Sequence, residues 1–142
     1  MPQSKTVEIA GLDHINIQTP VVEETCTFFE NIVGLRRGFR PDFPFPGAWL
    51  YLGEKAVVHI IGMTDEKAGA AGSGRVNHVG FMASGYASLL DRVRRAGIAH
   101  EIRDVPGANQ RQVFMKDPNG VAVELAFDAA EAMDGPAGVF QP

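Results

Sequence analysis

The 142-residue sequence predicts an α+β fold: two tandem βαβββ modules whose curved mixed sheets surround a common cleft. Three observations carry this reading. "LDHINIQTP", beginning at Leu12, returns in outline as "NHVGFMASG", placing His14 and His78 64 residues apart. His59 in "VVHII" and Glu124 in "AVELA" stand 65 apart, and two correspondences at nearly one offset mark a duplication. Each copy also runs through one order of periods: an alternating run, an amphipathic helix, then three more strand-like runs.

The first module covers about residues 11–62. Residues 12–19 alternate, with Ile15 and Ile17 on one side and His14, Asn16 and Gln18 on the other, as a half-buried strand does. A helix is expected over about 22–33, with Phe29, Ile32 and Val33 on its apolar side and Gly34 as its end. Strands come next in "LRRGFRP", "AWLYLG" and "AVVHIIG", the last two joined by the turn Gly53-Glu54-Lys55. Residues 63–75, "MTDEKAGAAGSGR", are rich in Gly and Ala and poor in bulky apolar side chains, which is the composition of a linker.

The second module, about 76–128, repeats the order: strand "NHVGFMAS", helix "YASLLDRVRRAG", then strands "AHEIRDVP", "RQVFMKDP" and "VAVELAFD". Asp117-Pro118-Asn119-Gly120 should join the last two as a hairpin, because Pro presets the backbone angle at the second turn position, and Asn and Gly tolerate the angles required at the third and fourth. The tail, 129–142, has no clear period; it is expected to be a mobile arm or the cover of a subunit interface. One domain is expected for the whole chain.

Seventeen acidic against thirteen basic residues give a net charge of -4, which offers no electrostatic footprint for nucleic acid. Arg92, Arg94 and Arg95 fall in a predicted helix and read as its solvated face. Cys26 is the one cysteine, so no internal disulfide forms, and its amphipathic setting reads as a small buried apolar side chain. The segment "MPQSKTVEIAG" lacks the apolar core of a secretion signal, and no run is long enough to span a membrane. A cytoplasmic protein without membrane or nucleic-acid partners is the expectation.

Residues two apart in a strand share a face, so His14, His59, His78 and Glu124 each project from a face otherwise filled by small or neutral groups. If the two sheets curve toward each other, the four converge as metal ligands. Imidazoles with one carboxylate suit one divalent transition metal (Fe, Ni, Co, Zn or Mn), whereas Mg or Ca would want more acids. Open positions would remain for a small substrate that chelates through two neighbouring oxygens. His100 has no counterpart in the repeat and is expected to be an exposed structural residue. Phe39, Phe43, Phe45, Trp49 and Tyr51 could wall an apolar pocket. Arg36, Arg37, Arg40 or Arg111 could hold an anionic group.

The segments "GLDHINIQTPVVEETCTFFENIVGLRRGFR", "NHVGFMAS" and "KDPNGVAVELAFD" resemble the vicinal oxygen chelate superfamily, which includes glyoxalase I, extradiol dioxygenases and bleomycin-resistance proteins. The resemblance implies paired βαβββ modules, a homodimer, and ligand roles for His14, His78 and Glu124. His59 stands where glyoxalase I has Glu. The resemblance implies a metal-dependent, glyoxalase-like lyase or isomerase, with Glu124 or His59 moving the proton; of the aromatic and arginine side chains, Phe39, Arg40, Trp49, Tyr51 and Arg111 are the expected substrate contacts. Two other activities are open: an extradiol-type ring-cleaving dioxygenase using His14, His78 and Glu124 around Fe(II), and a non-catalytic drug- or metabolite-binding protein.

Overall fold

The computed structural model describes residues 10–105, 107–132 and 135–142. Most of the segment read as lacking a secretion signal lies outside the described residues, as do Pro106 and two residues of the tail. The first module contains β1 (Ile15–Thr19), α1 (Val22–Phe28), β2 (Arg36–Gly38), β3 (Gly47–Leu52) and β4 (Lys55–Gly62). A short helical turn, α2 (Asp65–Ala68), interrupts the expected linker. The second module contains β5 (Val79–Met82), α3 (Tyr86–Arg95), β6 (His100–Val105), β7 (Gln110–Lys116) and β8 (Ala122–Asp128).

Each module forms its own sheet, and the two sheets share one strand arrangement. The strand orders are β1-β4-β3-β2 and β5-β8-β7-β6-β9, where β9 is Gly138–Phe140, and neither sheet closes. In each, the first strand runs parallel to the last strand of its module, and the other pairs are antiparallel. The duplication extends to register: Asn16 lies opposite His59, and Gly80 opposite Glu124.

One face of each sheet is covered and the other is open. Val58, Ile60 and Leu50 face α1 and the turn after it, where Cys26 and Phe29 are fully buried; Val113, Val123 and Phe127 pack with Leu89, Leu90 and Val93 of α3. These side chains form one apolar cluster running through both modules, and burial of each large one is worth roughly 1.5–3 kcal/mol. Burial also raises the Cys26 thiol pKa, which suits a packing residue rather than a nucleophile.

The helix expected over 22–33 ends differently. After Phe28 it widens into a π-turn over Phe29–Val33, and Gly34, at φ +93°, returns its N–H to the Phe29 carbonyl at 3.0 Å. The tail is also more ordered than its lack of period suggests. Its last strand pairs with β6, and the Glu131 carboxylate accepts the N–H groups of Gly85 and Tyr86, capping α3. This corrects the expectation for His100, which is buried because Phe140 of β9 stacks on its ring.

The DPNG turn does more than close a hairpin. Asp117 accepts the N–H groups of Asn119 and Val121, both at 2.8 Å, which shapes the turn. Asn119 then reaches the first module: its amide oxygen accepts from the Thr19 hydroxyl at 2.5 Å and its amide nitrogen donates to the Thr25 hydroxyl at 2.9 Å. Thr19 and Thr25 are fully buried, so this polar contact fixes one module against the other.

Candidate metal centre

His14 and His78 occupy equivalent places, each directly ahead of the first strand of its module. The parallel pairing of first and last strands carries each beside a residue of the last: His14 beside His59, and His78 beside Glu124. The four expected ligands therefore form two pairs, one on the open face of each sheet.

Among the described residues, no three His, Cys, Asp or Glu side chains come close enough to hold one ion. The four residues are thus brought together as two pairs rather than as one cluster. The reason is topological: strand adjacency within a module unites that module's own two, and among the described residues nothing folds one open face over the other.

In the second pair, His78 Nε2 and Glu124 Oε2 stand 3.1 Å apart. Two donors each about 2.1 Å from one ion, at roughly right angles, stand about 3 Å apart, so this spacing fits a shared transition metal. Sequence makes the approach possible at residue 80, where a Cβ would lie 2.8 Å from the same Oε2. Glycine leaves the carboxylate room to cross β5. Glu124 is buried to within 8% of full cover, and Phe114 meets the His78 ring edge-on at 5.3 Å.

The first pair has another geometry. His14 and His59 stack with centroids 3.8 Å apart and planes 10° apart, and Trp49 continues the stack beyond His59 at 4.0 Å. An imidazole lone pair lies in the ring plane, so with the planes nearly parallel one ion cannot lie in both. In this arrangement His14 is the donor free to reach an ion. His59 is held instead: its Nε2–H donates to the Ala56 carbonyl at 3.2 Å, and burial, followed by the nearby His14, pushes its pKa down. A neutral ring with Nδ1 as acceptor results.

The sequence-predicted substrate contacts divide. Trp49 and Tyr51 lie on β3 with the first pair, Trp49 directly opposite His59. Arg40 sits over the Phe43 and Phe45 rings at 5.0 and 5.1 Å, beside Trp49. Phe39 is 77% exposed at the rim, with its carbonyl accepting from the Tyr51 hydroxyl. Arg111 goes elsewhere. It packs on the helix side of its sheet, paired with Asp104 at 2.6 Å, while Glu124 projects from the opposite face. Arg103, which the sequence reading passed over, lies on the open face over the Phe114 ring at 4.6 Å. The alternation of His100 and Ile102 inward with Glu101 and Arg103 outward was the signal for it.

Among the described residues β1 and β5 are both edge strands, each with one side unpaired. Between them a cavity of about 990 Å³ runs past Asn16, Gln18, His78 and Val79 to the linker and Asn119. No helix among the described residues is long and apolar enough to cross a membrane.

The duplicated βαβββ fold points to a family, and sequence comparison identifies it. Residues 11–125 match the model of the Glyoxalase/Bleomycin resistance protein/Dioxygenase superfamily, and the chain belongs to that superfamily. Glyoxylase I 4 of Arabidopsis thaliana is 22% identical over 125 residues, covering 84% of this chain and 71% of that protein. A glyoxalase family protein of Bacillus anthracis shares the fold with a TM-score of 0.69 at 20% identity, covering 87% of this chain and 99% of that one. A mutant of the fosfomycin resistance protein FosX of Listeria monocytogenes, complexed with Mn(II) and 1S,2S-dihydroxypropylphosphonic acid, does so at 0.68 and 16% identity, covering 89% and 98%.

Proposed function

We propose that the protein is a metal-dependent lyase or isomerase acting on a small substrate that offers two neighbouring oxygens, and that its centre is completed by a second copy. His14 of one protomer would join His78 and Glu124 of its partner around one divalent transition metal. The observation that carries this reading is the division of the donors: a carboxylate–imidazole pair at ligand spacing on one open face, and a single free imidazole at the equivalent place on the other. The unpaired edges of β1 and β5, with the cavity between them, supply a surface for that second copy. The FosX complex supports the ligand class, since its organic ligand is a vicinal diol.

The bound metal would act as a Lewis acid on the substrate oxygens and make an adjacent C–H more acidic. This chain's residues do the rest. His59, neutral and backed by Trp49, accepts the proton at Nδ1 and returns it; Glu124 contributes negative charge to the centre. Trp49 and Tyr51 wall the substrate against water, and Arg40 or Arg103 meets an anionic substituent.

The same three donors make the two-His, one-carboxylate set of non-haem Fe(II) oxygenases, which keeps ring cleavage as a second reading. Metal analysis of protein purified anaerobically without an affinity tag separates the two. Firmly held Mn, Ni, Co or Zn, with turnover of α-oxoaldehydes or related substrates, supports the first; Fe(II) with catechol cleavage supports the second. Failure to bind any of these ions after reconstitution would leave a metabolite-binding protein.

A further inference from the structure

The residue ahead of each histidine is polar in both modules: Asp13 before His14 and Asn77 before His78, again 64 apart. Both make the same contact. Asp13 Oδ2 lies 2.6 Å from His14 Nδ1, and Asn77 Oδ1 lies 2.7 Å from His78 Nδ1. Adjacent side chains diverge within a pleated strand. They meet here because both dipeptides immediately precede β1 and β5, where pleating has not begun.

A carboxylate or amide oxygen only accepts, so each contact favours the proton on Nδ1 and frees the Nε2 lone pair for a metal. At His78 the Nε2 also faces an acceptor, Glu124 Oε2 at 3.1 Å, so there the Nδ1–H form depends on a metal ion taking the proton's place between Nε2 and Glu124. We infer that Asp13 and Asn77 are paired positioning residues, which set the tautomer and ring orientation of His14 and His78 for metal binding through Nε2; this rests on the ligand reading above. The two differ in charge. Asp13 adds an anion beside the histidine of the pair that holds no carboxylate ligand, while Asn77 is neutral beside the pair that already has Glu124.

With four histidines in the chain, long-range proton–nitrogen NMR of the metal-free protein, at a pH where the imidazoles are neutral, reads each tautomer separately. His14 should carry the proton on Nδ1 in the metal-free protein, and His78 once Zn(II) stands between its Nε2 and Glu124. His59, donating from Nε2 to Ala56, and His100, with Nδ1 on the Ile98 carbonyl, serve as internal references of opposite kind. Asp13→Ala should move His14 alone toward the Nε2–H form, and Asp13→Ala and Asn77→Ala should each weaken Mn(II) binding about 10- to 100-fold. Asp13→Asn and Asn77→Asp keep an acceptor and should keep the tautomer. Alanine variants with unchanged tautomers and unchanged Mn(II) affinity would overturn the assignment. Wild-type protein that binds Mn(II) but has His14 in the Nε2–H form when metal-free overturns the positioning role alone. The expected tautomers without any metal binding overturn the metal centre, and the role with it.

Discussion

His78 Nε2 and Glu124 Oε2 face each other at 3.1 Å across the space left by the missing side chain of residue 80. Gly80→Ala tests that space. Its Cβ would lie 2.8 Å from the carboxylate oxygen, and a flexible side-chain end yields more cheaply than backbone. The variant should fold with stability within about 1 kcal/mol of wild type, while metal affinity falls about tenfold or more as Glu124 is displaced. Paired urea unfolding and metal titration check this.

The stack of His59 on His14 separates their roles. His59→Gln should hold metal nearly as well as wild type but lose about 100- to 10,000-fold in turnover, the usual worth of an acid–base group. His14→Ala should lose the metal itself. Equal loss of affinity in both variants would make His59 a ligand.

Asn119 joins the modules through two buried threonines, so removing its amide takes the acceptor from the Thr19 hydroxyl and the donor from both the Thr25 hydroxyl and Asp117 Oδ2. Asn119→Ala is expected to cost about 1–3 kcal/mol in urea unfolding. A neutral result would mean that the apolar cluster alone fixes the modules.

The Arg111 guanidinium, donating to Asp104, holds that carboxyl below its usual range. A carboxyl with a lowered folded pKa binds fewer protons folded than unfolded. Its contribution to stability is therefore present above the unfolded value of about 3.9 and is lost as pH falls through the folded one. Asp104→Asn should lower Tm at neutral pH, and the gap to wild type should close in the acid range. A gap that persists at the lowest pH would assign the loss to geometry rather than charge.

The duplication was legible because it is written in strand periods and in two offsets of 64 and 65 residues. Alternation also told which face each donor occupies, and the DPNG turn fell where its residues require. Pairing into half-sites was not legible, since residue spacing says which face a side chain takes but not which two faces meet. The burial of Arg111 was not legible for a related reason: spacing does not show that Asp104, the Tyr86 hydroxyl and the Gly135 carbonyl stand where they offset it on the helix side. His100 and the last strand went together. A three-residue strand has too few positions to show a period, and without Phe140 over it His100 would be exposed.

The central claim is that the metal centre is shared between two chains. In a two-fold dimer, His14→Ala protein has no complete site and neither has Glu124→Ala protein, yet a mixed dimer keeps one site with every donor intact. Unfolding and refolding the two variants together in equal amounts should therefore restore about a quarter of the wild-type metal sites, while each variant refolded alone restores none. No recovery in the mixture, with dimers confirmed by mass, would contradict the account.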